Sequence, residues 1–148
     1  MNRREAIKTL GVSGGAVLTG VGLVGCAPAA NPSERIAPAG LRVAKLEDFP
    51  RVGAFREFDA GGIPGIAVRA SGPRPGGVSV GDVHLAAFSR TCTHLGCVVN
   101  PPTGEVMGCP CHGSVFNAQT GAVVQGPAGS PLTQIKLEAR SDGIYAVP

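Results

Sequence analysis

The chain contains no tryptophan, and only 16% of its 148 residues are charged. Beyond residue 25 it shows no sustained amphipathic helical pattern and no internal repeat, which excludes a helical bundle and a stacked-repeat architecture. Basic clusters are missing as well. Of the formal net charge of +3, Arg3, Arg4 and Lys8 with the acidic Glu5 account for +2. The remainder is close to neutral and carries no patch for nucleic acid. Between Thr91 and Gly129 charge all but vanishes, Glu105 being the only charged side chain. Such a stretch keeps the local dielectric low and leaves backbone amides as the main polar donors. Glycine and proline, by contrast, are plentiful at 23 and 13 residues. That content would suggest disorder in a highly charged chain poor in apolar residues, but 43% of this chain is hydrophobic. A single small, loop-rich domain fits.

The apolar residues come in short runs broken by turn formers. Leu41–Lys45, Phe55–Asp59, Ile66–Ala70, Val83–Ser89, Val123–Gln125, Leu132–Leu137 and Ile144–Val147 read as strands, several alternating apolar with polar residues. Gly72–Gly77 and Ser141–Gly143 read as turns. The fold class expected is all-β and antiparallel.

Two stretches concentrate the chemistry: Cys92-Thr93-His94-Leu95-Gly96-Cys97 and Cys109-Pro110-Cys111-His112-Gly113-Ser114. Each holds a cysteine and a histidine at donor spacing, Cys92-x-His94 and Cys109-x-x-His112. Thiolate and imidazole suit iron and zinc alike. A structural zinc site usually groups two cysteines in one knuckle and two histidines in the other, and it gives Cys97 and Cys111 no role. From about Gly40 to the end, the chain closely resembles the Rieske [2Fe–2S] proteins, and the double motif carries that resemblance.

The resemblance implies a Rieske-type antiparallel β sandwich with a cluster-binding loop subdomain. It implies one [2Fe–2S] cluster held by Cys92, His94, Cys109 and His112, and a disulfide between Cys97 and Cys111 that buckles the two loops together. Two thiolates neutralise one iron, whereas two neutral imidazoles hold the other without adding negative charge. An added electron then costs less, and as a class such centres lie at roughly −150 to +300 mV, against roughly −400 mV for plant-type ferredoxins. Further positions follow from the same resemblance. Gly126-Pro127-Ala128 is the third loop over the cluster, and Leu95, Pro110 and Pro127 form an apolar collar around histidine edges that reach the surface. Ser114 donates a hydrogen bond to a bridging sulfide, which raises the potential. Phe116 stands where high-potential relatives carry a tyrosine, so one donor is missing and an intermediate to moderately high potential is expected. Gly96, Gly108 and Gly113 are expected to let the backbone approach closely. The third histidine, His84, falls on an expected strand as an ordinary surface or core residue. One spare histidine cannot supply the second iron of a Rieske-type oxygenase, which takes two histidines and a carboxylate.

The first residues read as an address. Arg3-Arg4 followed by Glu5-Ala6-Ile7-Lys8 resembles a twin-arginine export signal, and the uncharged, glycine-rich stretch from Thr9 to Gly25 follows. Leu23-Val24-Gly25-Cys26 resembles a bacterial lipobox, cleavage leaving Cys26 as the lipid-bearing N-terminus. The implied ligands and disulfide leave Cys26 as the one cysteine over. An uncleaved membrane anchor is the alternative, and the glycine content makes it a poor spanning helix. The expected organisation is a signal peptide over 1–25, a flexible tether over 26–39 and the cluster domain over 40–148. The expected function is one-electron transfer on the outer face of a bacterial membrane, as iron–sulfur subunit of a quinol-oxidising cytochrome bc-type complex. The alternatives are the small subunit of a molybdenum oxidase such as arsenite oxidase, and a binding or assembly module that the cluster merely stiffens.

Overall fold

The computed structural model describes Ile36 and residues 39–148. The paired arginines, the Thr9–Gly25 stretch, Cys26 and most of the segment read as a tether lie outside the described residues. Within them are ten strands: β1 (Leu41–Ala44), β2 (Phe55–Asp59), β3 (Pro64–Ala70), β4 (Val78–Val80), β5 (Val83–Ser89), β6 (Val106–Gly108), β7 (Val115–Asn117), β8 (Val123–Gln125), β9 (Gln134–Arg140) and β10 (Gly143–Val147). Seven form an antiparallel sheet in the order β1-β10-β9-β5-β3-β2, with β4 paired to β5. Its outer strands β1 and β2 come into contact, so the sheet curls on itself. The other three form a small sheet, β6-β7-β8. The chain is all-β, as expected. Its helical structure among the described residues is the short 3-10 turn Leu46–Asp48, and no helix there is long and apolar enough to cross a membrane.

β3 and β5 lie between two cores, which explains why they read as nearly continuous apolar runs. Ile66, Val68, Ala86 and Phe88 pack toward the small sheet with Val99, Met107, Phe116 and Leu132. Ala67, Leu85 and Ala87 turn the other way, into a core with Ile135, Leu137, Ile144 and Ala146. β9 is covered on one face only, so it alternates: Ile135 and Leu137 are buried while Lys136 and Glu138 are exposed. Each fully buried side chain such as Ile66 or Leu85 contributes about 1.5–3 kcal/mol. The two strands therefore bind the main sheet and the small sheet into one unit. Ile36 is buried in the second core with Ala44 and Phe49.

Bounds shift by one or two residues at β1, β3 and β10, and the structure departs further from the sequence reading at β4, β6, β7 and β9. β4, β6 and β7 are only three residues each, too short for a pattern to stand out, and β6 and β7 flank the second cysteine motif. The strand read from Leu132 instead starts at Gln134 and runs on to Arg140. Leu132 gives its N–H to the Gly121 carbonyl at 2.9 Å, and Thr133 offers its carbonyl to Ser89 N–H at 2.8 Å. These residues feed a loop, not a ladder.

Candidate metal centre

The second motif is the loop of the β6–β7 hairpin. Gly108 pairs with Val115 at its base, Cys109 N–H donates to the Ser114 carbonyl at 2.7 Å, and Gly113 N–H to the Cys109 carbonyl at 3.1 Å. The first motif is closed in the same way. Thr91 pairs with Val98, Cys92 N–H donates to the Cys97 carbonyl at 2.8 Å, and Gly96 N–H to the Cys92 carbonyl at 2.9 Å. The two loops have equal length and equal hydrogen bonding. In each, the next-to-last residue is a glycine at positive φ, +81° at Gly96 and +75° at Gly113. That conformation costs any other residue about 1–3 kcal/mol. A Cβ at Gly96, Gly108 or Gly113 would meet no neighbouring protein atom within 4 Å.

These loops bring the expected donors together. Cys92 and Cys109 are free thiols, 3% and 4% exposed, and both lie in the same buried core. His94 is half-buried and His112 exposed, their rings meeting edge to face with centroids 4.9 Å apart. Cys97 and Cys111 are joined in a disulfide with Cα atoms 6.5 Å apart, the pairing the resemblance implied. Among the described residues no three histidine, cysteine or acidic side chains converge as donors to a single metal ion. The donors stand as a sulfur pair and an imidazole pair.

Two further observations fit a bound metal group. His94 Nδ1 is fully buried and has no hydrogen-bond partner, an unusual state for a buried polar atom. At Cys109, burial opposes ionisation. The Cys111 and His112 backbone N–H groups and the Cys92 thiol together outweigh it, so the thiol's pKa lies below its ordinary value. The thiolate is the form that binds metal, so the loop favours the ligating species.

Around the donors, Ser114 is completely buried, and its hydroxyl oxygen accepts the Ala128 N–H at 3.0 Å. Its own O–H proton stays available to donate. Phe116 is completely buried in the core that contains Cys92 and Cys109. Leu95, Pro110 and Pro127 are all exposed, Leu95 to 68%, and Pro127 follows a cis peptide bond. His84 lies elsewhere on β5, its Nδ1 2.8 Å from Ser79 Oγ. The sequence reading gave no role to Thr93, whose hydroxyl donates to the Ser130 carbonyl at 2.6 Å, nor to Arg90, whose guanidinium reaches both Glu57 and Val99. Neither side chain carries a sequence signal, because each bonds a residue distant along the chain.

Residues 40–136 match the family of the Rieske [2Fe–2S] domain, and the chain belongs to that family. It is 47% identical over 62 residues to a cytochrome b6-f complex iron-sulfur subunit of Gloeobacter violaceus, covering 41% of this chain and 33% of that protein. The match thus spans about a third of that relative's length. Among solved structures, a cyanobacterial plasma membrane Rieske protein from Synechocystis superposes with a TM-score of 0.57 at 27% identity, over 73% of this chain and 99% of that one. A chain of a hyperthermophilic respiratory complex III superposes with a TM-score of 0.52 at 25% identity, over 73% of each chain. The domain binds one [2Fe–2S] cluster.

Proposed function

We propose that Cys92 and Cys109 hold one iron of the cluster and that His94, through Nδ1, and His112 hold the other. The chain then works as the iron–sulfur subunit of a quinol-oxidising cytochrome bc-type complex, exported with a signal over 1–25 and held at the membrane through lipid on Cys26 and a tether over 26–39. The observation that carries the ligand assignment is the buried, unpartnered Nδ1 of His94 beside a buried pair of free thiols. When bound, the cluster accepts and returns one electron. The thiol pair lies inward and the imidazole pair toward the surface, so a partner docks on the histidine side. There an exposed histidine ligand that has given up its outer N–H proton would take a hydrogen bond, and then a proton, from a quinol hydroxyl. The exposed Leu95, Pro110 and Pro127 give that side an apolar rim suited to such a ligand. Purification from membranes tests the assignment: a cytochrome b-type subunit is expected to co-elute, and a molybdenum-containing subunit in its place would refute it.

The anchor is testable by itself. Cys26→Ala should abolish labelling by a lipid precursor and release the protein from the membrane; undiminished labelling would rule out the lipobox.

Ser114 and Phe116 give the tuning prediction. Ser114→Ala removes a donor whose oxygen is already held by Ala128 N–H, and should lower the midpoint potential. A hydrogen bond to a charged acceptor is worth roughly 1.5–3 kcal/mol, of which only the difference between redox states moves the potential. With about 59 mV per tenfold for one electron, the expected shift is on the order of 50–100 mV. The same substitution leaves the buried Ala128 N–H without its partner, costing about 1–3 kcal/mol of stability. Phe116→Tyr should raise the potential by a similar amount, its new hydroxyl reaching a ligand sulfur. Redox titration of both variants checks this, and unchanged potentials would mean that neither residue faces the cluster.

A further inference from the structure

Arg90 is the only charged residue buried among the described residues, at 8% exposure, and it stands two positions before Cys92. A buried charge is costly unless paired and hydrogen-bonded, so what holds it there is informative. Its guanidinium forms an ion pair with Glu57 on β2, and its Nε donates to the Val99 carbonyl at 2.7 Å. The backbone of the same residue donates to the Pro64 carbonyl at 2.7 Å and accepts Val99 N–H at 2.7 Å. Both backbone polar groups of Val99, just beyond the first loop, therefore go to Arg90. The next residue, Asn100, gives its N–H to the Gly108 carbonyl at 2.9 Å, immediately before the second loop. One residue thus connects β2 and β3 to the end of the first loop and, through Asn100, to the start of the second: its side chain holds Glu57 and the Val99 carbonyl, its backbone the Pro64 carbonyl and Val99 N–H. A guanidinium serves two acceptors in one fixed plane, which the point charge of a lysine does not.

We infer that Arg90, oriented by Glu57, is a positioning residue for the redox centre. It fixes the first loop to the main sheet and thereby sets the relation between the two loops and the redox signature of the cluster they hold. The inference rests on the reading of Cys92, His94, Cys109 and His112 as ligands. The two halves of the ion pair are unequally exposed, with 10% of the Arg90 side chain and 48% of the Glu57 side chain accessible. Losing the carboxylate strands a charge that cannot deprotonate, whereas losing the guanidinium leaves a carboxylate that water can reach. Glu57→Ala should therefore loosen the loop at least as much as Arg90→Met.

The test is amide hydrogen exchange on the cluster-loaded protein, together with the EPR spectrum and midpoint potential of the same samples. In Arg90→Met and in Glu57→Ala, the Val99 and Asn100 amides should exchange about tenfold faster or more while the β9–β10 hairpin is unchanged, as in local opening. The EPR lines should broaden and the potential move. Arg90→Lys should restore part of each change, and the double variant should be little worse than Arg90→Met, since the ion pair lost in Glu57→Ala is already lost there. A uniform rise in exchange across the domain, with EPR spectrum and potential as in wild type, would make the pair a contributor to overall stability only and overturn the inference. Retention of the cluster by Cys92→Ser would instead defeat the ligand assignment. Exchange at Val99 is read on protein amides, so it would still decide what Arg90 does.

Discussion

Cys109→Ser is expected to leave the centre empty, with iron and sulfide contents below about a tenth of wild type. Loss of a supporting residue around a metal already costs about 10–100-fold in affinity, and loss of a ligand costs more. The substitution is otherwise mild. Serine fits the space of a cysteine that is 4% exposed, and the backbone bonds that close the loop, from Cys109 N–H and to its carbonyl, do not depend on the side chain. What disappears is the sulfur that the Cys111 and His112 amides and the Cys92 thiol help to ionise. A hydroxyl does not give up its proton under the same stabilisation. Iron and sulfide analysis with circular dichroism separates an empty fold from an unfolded chain. A folded variant retaining most of its cluster would remove Cys109 from the ligand set.

The second large effect belongs to the disulfide. Cys97→Ala with Cys111→Ala should speed cluster loss on the order of a hundredfold without changing which groups bind the metal. The bridge closes a loop with a sequence separation of 14 residues, and a loop of about that length restrains the open state by about 3 kcal/mol in the chain-entropy account. At about 1.4 kcal/mol per tenfold, that is a factor of roughly a hundred in the opening equilibrium. Neither cysteine belongs to the buried thiol pair, and Cys111 is exposed, so the substitutions act on loop opening. Bleaching of the cluster in the presence of an iron chelator measures it. A loss rate equal to that of wild type would show that the β6–β7 hairpin and the Arg90 contacts already hold the loops shut.

Much of this was legible in the sequence because the informative residues are local. Cys92-x-His94 and Cys109-x-x-His112 announce the donors, and β2, β5 and β8 run where the apolar residues and flanking turn formers place them. Gly96 and Gly113 were singled out for permitting close approach, and the structure adds a second demand on them, a positive φ in each loop. That demand comes from the hydrogen bonding of each closed loop, which no residue pattern states. Arg90 was illegible for a related reason. An arginine two residues before a cysteine motif looks like surface charge until β2 brings Glu57 to it from 33 residues away. Likewise Leu132 belongs to an apolar run, and only the tertiary structure shows its N–H turned to Gly121.

The central claim, a two-iron cluster held by two cysteines and two histidines, is tested most directly by pulsed EPR of the chemically reduced protein labelled with nitrogen-15 at histidine. The account predicts couplings from two imidazole nitrogens, one lost in His94→Ala and the other in His112→Ala wherever the variant keeps enough cluster to observe. A reduced cluster without nitrogen couplings, or a protein that binds zinc and gives no EPR signal, would contradict it.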